Sequence, residues 1–282
     1  MKFVLAISGG VDSMALLDDF SRKFPGEFVV AHFDHGTRPS SKTDAEFVRK
    51  KATEYGADFY LGEGQLGPEV SEADARAARY EFLYKVAKKV NAEKIVTAHH
   101  LHDLAETVAI NILRGTGWRG LAPFYSNEIY RPFTQSQKPF SKIDIYKFAD
   151  AHELAFRQDP TNTEDKYLRN RLREKIFERV NNSSLKELAK LYQKQTRLRK
   201  EIENIAESLV PENGIYRRSW FYNLDDEAAM EILRAGLARK KISLTRPQMV
   251  GFLKAIREYK PGKKFNLPSD KLVTIRKDIF VL

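Results

Sequence analysis

The sequence predicts an α/β protein: a doubly wound parallel sheet, then a mostly helical basic region, then a small carboxy-terminal α+β domain. Three observations predict it. Short apolar runs alternate with helix-length segments through the amino-terminal part of the chain, the signature of parallel strands joined by crossover helices. The first run breaks into a glycine-rich joint, Ser8-Gly9-Gly10-Val11-Asp12-Ser13, at the strand-to-helix turn where open α/β sheets bind ligands. Charge is also segregated. Residues 1–160 hold 21 Lys+Arg against 22 Asp+Glu, while residues 161–282 hold 27 against 16, so the whole net charge of +10 sits in the second part.

The elements follow in order. Phe3 to Ile7 is a short apolar run that suits a strand buried on both faces. Asp12 or Ser13 can cap a helix running to about Phe20, with Met14, Leu16, Leu17 and Phe20 on its apolar side. Phe28 to Phe33 is the second strand, Lys42 to Tyr55 the second helix and Asp58 to Leu61 a short third strand. Gly62 to Pro68 is a loop. Ser71-Glu72-Ala73-Asp74 resembles a capping box and opens a helix to about Val90. Lys94 to Ala98 is a fourth strand, followed by a helix from Asp103 to Leu113. A long helix runs from about Ser184 to Leu209, and Pro211 to Gly214 reads as a linker. Helices follow at Asp225–Arg239 and Arg246–Glu258, and the tail from Lys263 suits a hairpin turning at Pro268-Ser269-Asp270. This divides the chain into a catalytic domain over 1–180, a basic helical linker over 181–210 and a small domain over 211–282.

Composition narrows the class. A chain of 282 residues with 42% hydrophobic content can fill a sizeable core. It has no cysteine, which rules out disulfides, thiolate metal sites and thiol chemistry of its own. The apolar run ending at Ser8 is too short for a signal peptide, and no run approaches a membrane span. A cytoplasmic location without membrane contact is the expectation. A basic second part calls for a polyanionic partner, with nucleic acid first.

The glycine-rich joint is built for an anion. Its glycines let backbone N–H groups approach a phosphate, the helix start adds partial positive charge, and Ser8 and Ser13 add hydroxyl donors. No Gly-Lys-Ser/Thr follows, so it is not the phosphate loop of kinases and GTPases, and it lacks the dinucleotide spacing. Ser8-Gly9-Gly10-Val11-Asp12-Ser13 resembles the PP-loop of the ATP pyrophosphatase family, whose members bind ATP there, adenylate an oxygen of a substrate and release pyrophosphate.

Further motifs narrow the resemblance to the lysidine synthetases. Phe33-Asp34-His35-Gly36-Thr37-Arg38 is similar to their second-strand motif. Glu72 to Tyr80 is similar to their Ala-Arg helix, and Thr97-Ala98-His99-His100 with Asp103 and Glu106-Thr107 to their fourth-strand motif. Arg114-Gly115-Thr116-Gly117, Arg131-Pro132, Asp159-Pro160-Thr161-Asn162 and Tyr167 with Arg169-Asn170-Arg171 and Arg173 continue the order. His102 departs from it, standing where an acid is usual, and Thr161 stands where serine is common.

The resemblance implies ATP and Mg²⁺ as cofactors, with a CAU-anticodon isoleucine tRNA and free lysine as substrates. It implies that Ser8, Gly9, Gly10, Val11, Asp12, Ser13, His99, Arg114 and Gly115 bind ATP. Catalysis is expected of Asp34, Asp103, Glu106 and Arg79. The metal ligands and the oligomeric state stay open, a homodimer being one option. The residues are consistent with such chemistry. Asp103 and Glu106, three apart on a helix, can present oxygens to Mg²⁺ or to the lysine ammonium. Asp34 at a strand end can hold or deprotonate an amine. Two alternatives stay open: a tRNA thiolase of the same fold, whose sulfur a partner must supply, and a nucleotide- or RNA-binding protein without catalysis.

Residues 161–200 carry 12 Lys+Arg against 5 Asp+Glu. Arg169, Asn170, Arg171 and Arg173 beside Tyr167 can grip phosphate and stack on unpaired bases. Lys186, Lys190, Lys194 and Arg197 recur at helical spacing. Lys190, Lys194 and Arg197 join the arginine cluster as the expected tRNA-binding set, and the terminal domain is expected to grip tRNA as well.

Overall fold

The computed structural model of the chain describes residues 2–36, 41–64, 67, 70–157 and 180–282. These divide into two compact units, Met1–Gln193 and Lys194–Leu282.

The first unit is built on a five-stranded sheet: β1 (Phe3–Ala6), β2 (Phe28–Asp34), β3 (Phe59–Glu63), β4 (Lys94–Val96) and β5 (Ile129–Tyr130). Its order is β3-β2-β1-β4-β5 and every pairing is parallel. Four strands lie where the apolar runs predict them, but β3 runs on through Gly62 and Glu63, expected to open the loop, because they pair with Phe33 and Asp34 of β2. The two-residue β5 was not anticipated, because two residues carry no measurable alternation.

Both faces of the sheet are covered, which explains the continuous apolar runs. Phe3, Leu5, Phe28 and Val30 point into one core with α1 (Val11–Lys23), α2 (Ser41–Glu54) and α6 (Lys142–Ala151). The intervening Val4, Val29 and Ala31 point the other way, against Leu83 and Val86 of α3 (Glu72–Lys89). A third cluster joins α4 (Leu101–Leu113) to Ala122, Phe124 and the start of α7 (Asn182–Ser208), through Leu104, Leu185, Ala189 and Tyr192. The short α5 (Pro132–Gln135) follows β5 directly and buries Phe133.

Two helix starts differ from expectation. α1 begins at Val11 with Gly10 as its N-cap and no side-chain cap, so Ser13 lies inside the first turn. α4 begins at Leu101 and is capped by His100, whose ring accepts from the Asp103 N–H while Asp103 Oδ2 accepts from the His100 N–H at 2.9 Å. Ser71 caps α3 as expected. α6 was missed, although Ser141-x-x-Asp144 is a full capping box.

The second unit adds α8 (Arg218–Asn223), α9 (Asp226–Arg239) and α10 (Arg246–Glu258) to two small antiparallel ladders. The tail hairpin forms as β7 (Lys264–Asn266) and β8 (Leu272–Thr274), its turn made by Ser269 and Asp270 at φ 61° and 55°. The last strand, β9 (Ile279–Val281), pairs instead with β6 (Ile215–Arg217). Tyr216 and Phe280 stack across that ladder at 5.0 Å. No helix among the described residues is long and apolar enough to cross a membrane.

Candidate active site

The strand order reverses between β1 and β4, so their carboxyl ends diverge into a crevice, the position where doubly wound sheets bind ligands. A cleft of about 210 Å³ opens there, lined by Ala6, Ser8, Asp12, Ser13, Arg79, Thr97, Ala98, His99 and Asp103. Two loops meet in it, one after β1 and one after β4.

The first loop is organised by the buried Ser13. Its Oγ accepts from the N–H groups of Ser8 at 3.2 Å and Gly9 at 3.1 Å, and donates to the Gly10 carbonyl at 2.9 Å. Backbone donors therefore converge on one oxygen at the amino end of α1. Gly9 is held at φ +91°, and a Cβ there would stand 3.3 Å from Val48. The left-handed φ is what demands glycine, and the nearby Val48 methyl would crowd any side chain there. The Gly9 carbonyl is fixed in turn by the Arg157 N–H at 2.9 Å.

The second loop supplies His99, His100 and Asp103. Thr97 Oγ1 lies 2.8 Å from His99 Nδ1, and the His99 ring packs on Phe124 at 5.2 Å. Burial pushes the His99 pKa down to about 3; Asp103 opposes the shift, while the charges of Arg131, Arg76 and Arg79 add to it. His99 is thus a neutral imidazole at physiological pH. The sign gives a prediction. Below pH 6.5 the unfolded chain binds a proton that the folded chain refuses, so stability falls toward pH 3 by up to about 1.4 kcal/mol per pH unit from this group. Urea unfolding at pH 7, 6 and 5 should show a shallower loss for His99→Gln than for the parent; equal slopes would place the proton elsewhere.

Asp12 is held on its other side. Lys142 Nζ donates to both carboxylate oxygens, at 2.6 and 2.7 Å, and His100 Nε2 lies 3.7 Å from Oδ1. Lys142 escaped the sequence reading, and the capping box that starts α6 is the signal that could have found it.

The remaining expected residues are placed as follows. Gly10 and Val11 start α1, with Val11 buried in the core. Glu106 is buried on α4, and unlike Asp103 does not line the cleft. Asp34 ends β2, and its Oδ1 accepts from the Gly36 N–H at 2.7 Å. It too lies outside the cleft lining. Arg114 and Gly115 form the exposed turn after α4, roughly 16 Å along the helix from Asp103. Lys186, Lys190, Lys194 and Arg197 are exposed on α7, with Lys190 paired to Glu187 at 2.7 Å. Thr37, Arg38, Asp159–Asn162, Tyr167, Arg169, Asn170, Arg171 and Arg173 lie outside the described residues. No group of three or more His, Asp or Glu residues placed to hold a metal ion occurs among the described residues.

Comparison with known proteins agrees with this geometry. The PP-loop domain family model matches residues 1–180. A tRNA(Ile)-lysidine synthase of Thermosipho africanus is 39% identical over 191 residues, which cover 62% of this chain and 43% of that protein. Those of Enterococcus faecalis and Thermotoga maritima are 36% and 37% identical, covering 62% and 61% of this chain and 39% and 44% of theirs. The chain thus spans less than half the length of these relatives. Among solved structures, a U34-tRNA thiolase of Methanococcus maripaludis with its [4Fe-4S] cluster superposes with a TM-score of 0.57 at 15% identity, over 71% of this chain and 73% of that one. That likeness is one of fold. A parallel sheet with a glycine loop at its switch point, matched to the family over most of its length, places this chain in the PP-loop domain family.

Proposed function

We propose that the protein is an ATP-dependent ligase that joins lysine to C2 of the wobble cytidine of a CAU-anticodon isoleucine tRNA. The observation that carries this reading is the convergence of Ser8, Asp12, Ser13, Arg79, His99 and Asp103 on one cleft at the switch point. The names of the relatives supply the substrate.

In the first step the cytidine O2 attacks the α-phosphorus of ATP and pyrophosphate leaves. In the second the lysine ε-amine attacks C2, AMP leaves with O2, and the amine gives up a proton. A carbonyl oxygen is a poor leaving group until it is adenylated. The N–H groups of Ser8 and Gly9, now turned onto Ser13 Oγ, would turn to a phosphate oxygen, with Gly10, Val11 and the uncapped start of α1 completing the cradle. Arg79 would add charge on the far wall. The neutral His99 would contact a base without competing for phosphate.

The cleft's donors suit Mg²⁺, which takes one or two carboxylates and leaves its other positions to phosphate and water. Asp12 and Asp103 line one cleft, and Asp12 already holds an ammonium through both oxygens. When bound, the ion neutralises phosphate charge. Asp34 and Glu106 are the candidates for receiving or holding the lysine amine. Arg114 and Gly115 enter this reading as contacts for a ligand longer than the cleft, the tRNA backbone. Arg169, Asn170, Arg171, Arg173, Lys190, Lys194 and Arg197 would hold that backbone too.

Incubation with ATP, labelled lysine and tRNA transcripts tests this. Lysine should enter only the CAU-anticodon isoleucine transcript, with one AMP released per lysine. ATP left unconsumed with every transcript would overturn the reading in favour of a binding protein. Reversing charge at Lys190 and Lys194 together should weaken tRNA binding and lower its salt slope by about one for each phosphate no longer neutralised. Unchanged filter-binding isotherms at two salt concentrations would remove those residues from the interface.

A further inference from the structure

We propose that Lys142 is the exchangeable counter-ion of Asp12, giving up that carboxylate to a divalent cation and turning to the nucleotide's phosphates, and that His102 is the positioning residue that sets it there. The inference rests on the nucleotide-binding reading of the cleft.

The geometry begins at α6. Lys142 is its first residue, and the N–H groups of a helix's first turn have no partner within the helix. The Lys142 N–H donates to Nδ1 of His102 at 3.1 Å. His102 is buried, and its ring meets His100 edge-on at 5.8 Å. The Leu101 N–H donates to the Phe140 carbonyl at 3.0 Å, so the starts of α4 and α6 are tied together at two points. This places a side chain 130 residues distant in sequence against both oxygens of the loop acid, with about a fifth of the lysine side chain exposed. An acceptor is what the position requires, and the imidazole supplies one where an acid is usual in the resembling family.

The charge balance then follows. Asp12 in a half-closed cleft is neutralised by the ammonium. A divalent cation that takes the carboxylate displaces Lys142, whose flexible arm leaves the ammonium beside the loop amides, where phosphate binds. Each ion keeps an opposite partner through the exchange.

Two binding measurements on the 282-residue chain test this without turnover. In Lys142→Met the nucleotide-free protein should bind Mn²⁺ about fivefold tighter by electron paramagnetic resonance, because the competitor is gone. The same variant should bind ATP about tenfold more weakly by calorimetry with Mg²⁺ present, because the phosphates then lose the displaced ammonium. A lysine with a merely structural role would not move the two in opposite directions. His102→Leu should reproduce both changes in smaller degree, and His102→Asn, whose Oδ1 can replace Nδ1 as acceptor, should restore the parent values. If Lys142→Met does not fold, the His102 pair decides alone. Parent protein that binds ATP, with variants that match it in both measurements, would overturn the proposal. Parent protein that binds no ATP would instead overturn the nucleotide reading.

Discussion

Replacing Asp12 by asparagine is expected to lower the rate of adenylation at least about a hundredfold, with tRNA affinity changed less than about twofold. The substitution keeps the side chain's shape and its room beside His100. It removes the charge that holds Lys142 through both oxygens and that would hold the cation on the phosphates. The fold should survive, because Asp12 lies in the first turn of α1 without capping it and is about one-third exposed. Pyrophosphate release in a single turnover with saturating tRNA is the measurement. A variant that keeps a tenth of the parent rate would show that Asp12 serves the loop's structure instead. Asp103→Asn makes a companion experiment. Its Oδ1 can still accept from the His100 N–H and keep the cap of α4, which in other helices contributes about 1 kcal/mol. Lost adenylation with an unchanged melting temperature would then be an effect of charge alone.

Arg218→Met should unfold the second unit near body temperature, at a cost of roughly 3–5 kcal/mol. Arg218 is 5% exposed and spends its guanidinium on backbone carbonyls: Nε on Ile256 at 2.7 Å, Nη1 on Arg276 and Lys277, and Nη2 on Arg257 and Tyr259. Ile256 and Arg257 lie in the last turn of α10 and Tyr259 is its C-cap, so the arginine satisfies carbonyls that the helix leaves unpaired and meets the negative end of its dipole. The arrangement is reciprocal. Arg257, in that same last turn, donates to the Phe221 carbonyl at 2.7 Å and the Leu224 carbonyl at 2.9 Å, closing the end of α8. Methionine fills the volume and strands the carbonyls. Lysine should rescue little, since three donors on one atom cannot match a planar fork. Calorimetry should show part of the unfolding heat moving to lower temperature. Because the second unit is proposed to grip tRNA, affinity for tRNA should fall with it while ATP binding persists. A melted second unit with full tRNA affinity would assign the grip to the first unit.

Much of the fold was legible because it is local. Strands β1, β2, β3 and β4 announce themselves as apolar runs, and the helices from α1 to α4 by their length and apolar spacing, with only the cap of α3 read correctly. The hairpin tail was readable from Pro268-Ser269-Asp270. The loop residues Ser8, Asp12 and Ser13, with His99, Asp103 and Arg79, were named from motifs, and the structure brings all six to one cleft. Spacing alone could not separate Asp103, which lines that cleft, from Glu106, which is buried one turn away. Helical periodicity states which residues share a face, and says nothing of what that face meets.

The sequence by itself determined the alternation of strands and helices, the anion-binding character of the first loop and the basic surplus of the second part. Those properties depend on neighbours within a few residues, or on sums over the chain. Only the tertiary structure decided that Lys142 faces Asp12, that His102 anchors the helix carrying it, that burial near three arginines keeps His99 neutral, and that Arg218 and Arg257 close each other's helices. Each of these joins groups distant in the chain. Their energies depend on burial and on the direction of a hydrogen bond, and neither exists until the sheet has set its strand order and the helices have packed.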